Sequence, residues 1–201
     1  MTSDTQTSRL MAYVQRQGMV RTRDLDGIGV PREVLKRLVD RGELIQRSRG
    51  VYSLPQHEPT RHTDLAEVCA RSPNATVCLI TALDFHELTT QIPHAVWLMI
   101  SRSAWKPRIE HPQIEVVYAS GESLTAGVET HEFEGVKVPV TSPAKTVADC
   151  FKYRHRVGQD VAVEALRDCL RQRKATPAQL YEMAKIDRVA KRVRSYIEAL
   201  I

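Results

Sequence analysis

The 201-residue sequence predicts an α+β fold in two parts. Residues 1–55 read as three short helices and a β-hairpin, residues 56–62 as a linker, and residues 63–201 as a mixed α/β domain closed by a helical tail. Three observations carry this reading. Apolar stripes recur at helical spacing between glycine stops before Gly42, strand-like apolar runs fall between His94 and Val140, and capped amphipathic helices follow one another from Ser142 onward.

In TSRLMAYVQRQG, Leu10, Met11 and Val14 share one helical face, and Gly18 suits the helix end. In VRTRDLDGIG, Thr22 is placed to cap a short second helix with Leu25 and Ile28 turned inward, before Gly27 and Gly29 break the chain. VPREVLKRLVDRG restarts it. Pro31 suits the first helical position, Gly42 the position after the last, and Val34, Leu35, Leu38 and Val39 form one stripe. ELIQ and VYSL then flank RSRG, the pattern of a hairpin around a glycine-containing turn. Three helices followed by a hairpin is the order of a winged helix-turn-helix. In that arrangement the third helix enters the major groove and the wing follows the phosphate backbone.

Past the linker PQHEPTRH, TDLAEVCARS predicts a helix capped by Thr63 or Asp64. HAVWLMIS and IEVVYAS have the length and composition of buried strands, and GVETHEFEGVKVPVT is a hairpin that turns at Glu134-Gly135. Ser142 and Pro143 open a helix with Ala144, Val147, Ala148 and Phe151 inward. Thr176 and Gln179 form a capping box at the head of TPAQLYEMAK. DRVAKRVRSYIEALI is expected to bury Val189, Val193, Ile197 and Leu200.

A hydrophobic content of 42% is enough for a buried core, which argues against a disordered chain. No apolar run reaches the length of a membrane span and MTSDTQTSRL shows no secretory signal, so the expected location is cytoplasmic, with no membrane partner. Cys69, Cys78, Cys150 and Cys169 match no zinc or redox spacing and read as structural filler, with Cys78 and Cys169 among apolar neighbours as buried thiols are; neither a metal nor a cofactor is expected.

The chemistry of an enzyme is hard to find. No glycine-rich phosphate loop is present. His86 has no second histidine at helical spacing and reads as a locally hydrogen-bonded residue near a helix end. Glu134 and Lys137 straddle a turn, which breaks the carboxylate–lysine strand geometry that a nuclease uses. Asp84 reads as a helix-start residue, Asp149 as a helix-surface residue, and Trp97 and Trp105 as core or interface anchors. No catalytic residue is assigned, and the chain does not read as an enzyme.

Charge points to a polymeric anion. The net +5 is unevenly spread: residues 1–55 carry 10 Lys and Arg against 6 Asp and Glu, residues 56–141 carry 6 against 11, and residues 142–201 carry 13 against 7. A basic head of this kind suits nucleic acid. Arg32, Lys36 and Arg37 are the candidates for base or phosphate contact on the third helix, Arg47 and Arg49 for the wing tip, and Arg21 and Arg23 for the start of the second helix. Arg188, Lys191, Arg192 and Arg194 crowd the last helix as a secondary basic surface, with Arg188 and Arg192 four apart on one face. Arg9 and Arg16 read as ordinary surface charges.

LVDRGELIQRSRGVYSLP resembles the wing of the AbiEi-type antitoxins, the transcriptional regulators of type IV toxin–antitoxin systems. VPVTSPAKTVADCFKYRHRVG resembles a segment that recurs in their C-terminal domain, and ITALDFHELTTQIPHAVWLMI fits the family's helix-then-strand core. The resemblance covers nearly the whole chain. It implies a winged helix that binds inverted repeats in double-stranded DNA upstream of its own operon and represses it. Residues 31–41 would be the recognition helix, with Arg47 and Arg49 as the basic residues of the wing. It also implies a C-terminal domain that counters a separately encoded nucleotidyltransferase-like toxin, with no stable complex between the two. The resulting expectation is an autorepressor and antitoxin. The alternatives are a stand-alone regulator whose C-terminal domain senses something or oligomerises, and a DNA-processing enzyme targeted by its winged helix.

Overall fold

The computed structural model describes residues 2–58 and 60–200. By their contacts they form two compact units, residues 1–73 with 132–138 and residues 74–131 with 139–201. These bounds differ from the functional division at 56–62, because that segment has partners of its own inside the first unit.

In the first unit α1 (Thr2–Gln17) ends where Gly18 takes φ 84° and donates its N–H to the Val14 carbonyl at 2.8 Å. β1 (Met19–Arg21), α2 (Arg32–Asp40), β2 (Ile45–Ser48), β3 (Val51–Ser53) and α3 (Thr63–Arg71) follow. The three strands form an antiparallel sheet in the order β1-β3-β2. Leu10, Val14, Val20, Leu25, Val30, Val34, Leu35, Leu38 and Leu44 are buried as one cluster, so the stripes of α1 and α2 meet as their spacing predicts. Val39 is half-buried at the margin of that stripe.

Two details depart from the sequence expectation. The predicted second helix is a pair of 3-10 turns, Thr22–Asp24 and Asp26–Ile28, with Arg21 and not Thr22 at the cap of the first. Seven residues closed by Gly29 at φ 65° are too few to repay the nucleation of an α-helix. The hairpin also gains a third strand, β1, whose three residues are too short for any period to reveal.

The segment read as a linker is tied to Glu134. His57 Nε2 lies 3.2 Å from Glu134 Oε2, while the Thr60 hydroxyl (3.1 Å) and the Thr63 hydroxyl both donate to Glu134 Oε1. Glu134 and Gly135 take φ of 52° and 70°, the positive pair that a two-residue hairpin turn requires.

The second unit contains β4 (Thr76–Val77), α4 (Leu79–Phe85), β5 (Val96–Ser101), β6 (Ile114–Ala119) and α5 (Glu122–Thr125). Next comes the hairpin of β7 (Val128–Phe133) and β8 (Val136–Thr141), whose tip counts with the first unit. The helical tail is α6 (Pro143–Lys152), α7 (Arg154–Val157), α8 (Gln159–Arg171), α9 (Pro177–Ile186) and α10 (Ala190–Leu200). The mixed sheet has the order β6-β5-β4-β8-β7; β5 and β6 run parallel from Val96 opposite Ile114 to Ser101 opposite Ala119. Residues 96–100 of β5 are all buried, so the strand reads as a continuous apolar run without alternation. Two predicted caps are in place: the Ser142 hydroxyl accepts from the Lys145 N–H, and Thr176 and Gln179 form their reciprocal box. Two others shift by a residue: α3 begins at Thr63 with His62 at the cap, since the Thr63 hydroxyl is turned to Glu134, and Pro31 precedes the first residue of α2. The α+β class, with a wing-like N-terminal sheet, a mixed sheet and closing helices, is the observed architecture. Among the described residues no helix is long and apolar enough to cross a membrane.

Several side chains lie elsewhere than the sequence suggests. Asp84 is in the last turn of α4 and not at a helix start. Leu200 is 38% exposed, because the last turn of α10 runs past the core. Trp97 is buried on β5, whereas Trp105 is 94% exposed in the segment after it. The largest departure is Asp149, expected on a helix surface and fully buried, as is Lys145 one turn before it. Helices α4, α8, α9 and α10 all pack on α6, so its polar face lies inside as well as its apolar one. Lys145 Nζ donates to Asp149 Oδ1 and lies 3.1 Å from Asp187 Oδ2; Lys152 Nζ lies 3.1 Å from Asp187 Oδ1. Burial pushes the Asp187 carboxyl up, but Lys145, the Ser123 hydroxyl, Asp149 and Lys152 together hold it below the ordinary carboxylate range.

His86 caps the C-terminal end of α4 and is buried, with Nε2 2.7 Å from the Thr141 carbonyl. The bond expected to be local spans 55 residues and ties α4 to the end of β8. Burial lowers the pKa of His86 more than the Thr141 carbonyl and Glu129 raise it, so the folded protein holds the ring neutral. Protonation is therefore easier in the unfolded chain, and stability should fall as the pH drops below 6.5. Melting temperatures recorded from neutral pH to about pH 5 check this; His86→Gln should flatten that limb of the curve, and an unchanged slope would remove His86 as its cause.

Candidate nucleic-acid interface

Because α2 turns Val34, Leu35 and Leu38 into the core, Arg32, Glu33, Lys36 and Asp40 stand in solvent. Arg32 and Lys36 are one turn apart and line a groove of about 370 Å³ together with Glu33, Leu35, Val39, Thr22, Gln46 and Tyr52. The groove thus lies between the third helix of the sequence reading and the wing-like sheet. Arg49 is exposed in the turn between β2 and β3, where Gly50 takes φ 76°. Among the described residues, Arg32, Lys36 and Arg49 make no side-chain hydrogen bond or ion pair. Their guanidinium and ammonium groups are available to a ligand.

The other four candidates are engaged inside the unit. Arg21 donates from Nε and Nη2 to the two carboxylate oxygens of Asp24, each at 2.7 Å, and its backbone N–H adds a third bond at 2.9 Å. The hydrogen bond to Asp24 outweighs burial and raises the Arg21 pKa. Arg23 donates to the Ala70 carbonyl at 3.1 Å. Arg37 reaches Thr7 Oγ1 at 3.1 Å, which aims it at α1. Arg47, expected at the wing tip, lies on β2 and donates to Ser53 Oγ and the His57 carbonyl, both at 2.9 Å. The reason is a register shift between Gln46 and Ser48: Arg47 is the extra residue, and such a bulge re-aims its side chain. The tip is Arg49 alone.

Gln46, Tyr52 and Thr22 line the groove without having been singled out from the sequence. Gln46 stands opposite Tyr52 in the ladder, and only that pairing register puts both beside α2. The secondary basic surface is smaller than its sequence suggested. α10 starts at Ala190, and Arg188 sits before it in a left-handed conformation at φ 59°, so it does not share a helical face with Arg192. Lys191 and Arg192 are exposed on the helix, while Arg194 pairs with Glu198 at 2.6 Å.

No curated protein sequence matches this chain. The crystal structure of the RV2827C protein from Mycobacterium tuberculosis is similar, with a TM-score of 0.59 and 16% identity over 90% of this chain and 71% of that one. At that identity the likeness concerns the fold. The family described as "Transcriptional regulator, AbiEi antitoxin" matches residues 8–55, which run from α1 through the wing. Over those residues, the chain is similar to the AbiEi-type transcriptional regulators.

Proposed function

We propose that the chain is a transcriptional autorepressor and type IV antitoxin that acts on double-stranded DNA through residues 1–55. Residues 63–201 would form the antitoxin-type domain. The observation that carries the reading is the groove between α2 and the wing-like sheet, with unpaired Arg32 and Lys36 along it and unpaired Arg49 at the wing tip. Arg32 and Lys36 fit the base edges or the flanking phosphates, and Arg49 fits a phosphate. Arg21, Arg23, Arg37 and Arg47 add charge while their hydrogen bonds hold the scaffold. The operator would be inverted repeats upstream of the chain's own gene. The antitoxin activity would oppose a nucleotidyltransferase-like toxin without a stable complex.

Fluorescence anisotropy tests the DNA half, with the gene's own upstream duplex and a scrambled duplex of equal length at several salt concentrations. Preference for the upstream duplex supports the proposal, and equal or absent binding overturns it. The sequence alone, counted as about five ion contacts, gives a slope of log K on log salt of roughly −4 to −5. The three unpaired cations of the structure lower that to about −3 per protomer.

Arg49→Ala should flatten this slope by about one unit and weaken binding to every duplex alike. Arg47→Ala should change the slope less, because its guanidinium is held by Ser53 and His57. Equal slope changes for the two variants would restore Arg47 as a direct phosphate contact. Co-expression with the toxin gene, scored as rescue of growth, tests the antitoxin half separately.

A further inference from the structure

A second concave site lies in the second unit, at the carboxyl ends of the parallel strands β5 and β6. Arg102 directly follows β5, and residues 120–123 directly follow β6. They enclose a cavity of about 640 Å³ with Lys152 of α6 and Asp187 and Arg188 of the break between α9 and α10. Open sheets bind ligands at this end of parallel strands, where the loops diverge and leave a crevice. Its volume falls within the range of small-molecule sites.

Its charge selects the ligand. Arg102, Lys152, Lys185 and Arg188 face Glu122 and Asp187. Asp187 is already neutralised from within by Lys145 and Lys152, and Lys185 pairs with Glu182 at 2.8 Å. Among the described residues, Arg102 and Arg188 make no side-chain hydrogen bond or ion pair. Both are exposed, and their guanidinium groups can each present a fork of N–H donors. Ser120 adds a hydroxyl, while the Ser123 hydroxyl donates to Asp187 and accepts from Lys152, and Tyr118, 41% exposed, adds an aromatic wall.

Arg188 takes φ 59° because it closes the end of α9, where the Val189 N–H reaches back to the Ala184 carbonyl at 2.8 Å. This helix end sets the arginine at the cavity rim, and Gly would satisfy the same backbone.

We propose that this cavity binds a small molecule bearing a phosphate group, held by Arg102 and Arg188 with the Lys152 ammonium on the inner wall. The volume exceeds that of a free phosphate ion, which favours a phosphate carried on a larger body such as a nucleoside. The site is separate from the DNA groove, and the proposal does not depend on DNA binding.

Isothermal titration of the full-length protein tests it, with inorganic phosphate, pyrophosphate, AMP, ATP and uncharged adenosine as probes. Saturable binding of AMP or ATP but not of adenosine is expected; saturable binding of phosphate or pyrophosphate alone would also support the site and assign it to the free anion. The double variant Arg102→Gln/Arg188→Gly should bind about 100-fold more weakly, tenfold for each lost charge-assisted contact. Its unliganded melting temperature should be at least that of the parent, since Gly relieves the backbone at 188. Arg16→Gln removes a charge on α1 and should leave binding unchanged. Binding of no phosphate compound at millimolar concentration would overturn the proposal. So would undiminished binding by the double variant, or an equal loss with Arg16→Gln.

Discussion

Lys145→Ala should destabilise the second unit by about 3–5 kcal/mol. The substitution leaves Asp149 and Asp187, both buried, facing each other without the ammonium that lies between them. Removing one partner of a buried ion pair costs far more than removing all of them, because the remaining charge keeps its desolvation penalty. The combined variant Lys145→Met, Asp149→Leu and Asp187→Asn should therefore recover most of the loss. Trp97 fluorescence in a Trp105→Phe background reports on this unit during urea unfolding, since Trp97 is buried in its sheet. A loss below about 1 kcal/mol, the scale of an exposed ion pair, would mean that solvent reaches the cluster or that Asp149, whose carboxyl burial already raises, takes up a proton.

The same cluster sets a pH dependence, in which Asp149 opposes its partners: burial raises its carboxyl well above the ordinary range, more than Lys145 lowers it. Asp187 is held below the ordinary carboxylate range, so its contribution is present above its unfolded value of 3.8 and disappears as the pH falls through its folded value. Lys145 is shifted upward: burial opposes its charge, but Asp149 and Asp187 outweigh that. Its contribution is present below 10.5 and is lost as the pH rises through its higher folded value. Lys145→Ala should flatten the stability curve at both extremes.

The second large effect concerns recognition. Arg32→Ala and Lys36→Ala should each cost about 1–3 kcal/mol against the preferred duplex if the side chain reads a base edge, and much less against a scrambled one. The two residues stand one turn apart on α2, so the double variant should lose most of the discrimination between the duplexes. A double variant that weakens both duplexes equally would reassign these side chains to phosphate contacts. Arg37→Ala makes an instructive contrast. Its guanidinium is turned to Thr7, so its loss should appear in stability before it appears in specificity.

The helical elements were largely legible because their signals are local. Caps, stops and stripes act within one or two turns, and Gly18, Gly42, Ser142 and the Thr176/Gln179 box all sit where those rules put them. β1 was not legible, since three residues carry no period and acquire strand structure only by pairing with β3. The helix expected after Thr22 failed because Asp24 bonds back to Arg21 and Gly29 closes the segment. Arg47 shows the same limit at the candidate site. Its charge and position read as a wing tip, but a one-residue bulge turned it back onto Ser53 and His57.

By itself, then, the sequence determined the order of the longer helices and strands, the apolar faces of α1, α2 and α6, and a basic N-terminal segment similar to the AbiEi regulators. These follow from side-chain periodicity and formal charge, which need no long-range partner. Only the tertiary structure decided which cations are available and which are spent on internal hydrogen bonds, and it alone buried Lys145 and Asp149 beside Asp187. Whether a charged side chain meets solvent or a partner depends on elements packed against it from distant parts of the chain: Asp187 lies 42 residues from Lys145, and no pattern within a single helix encodes that approach.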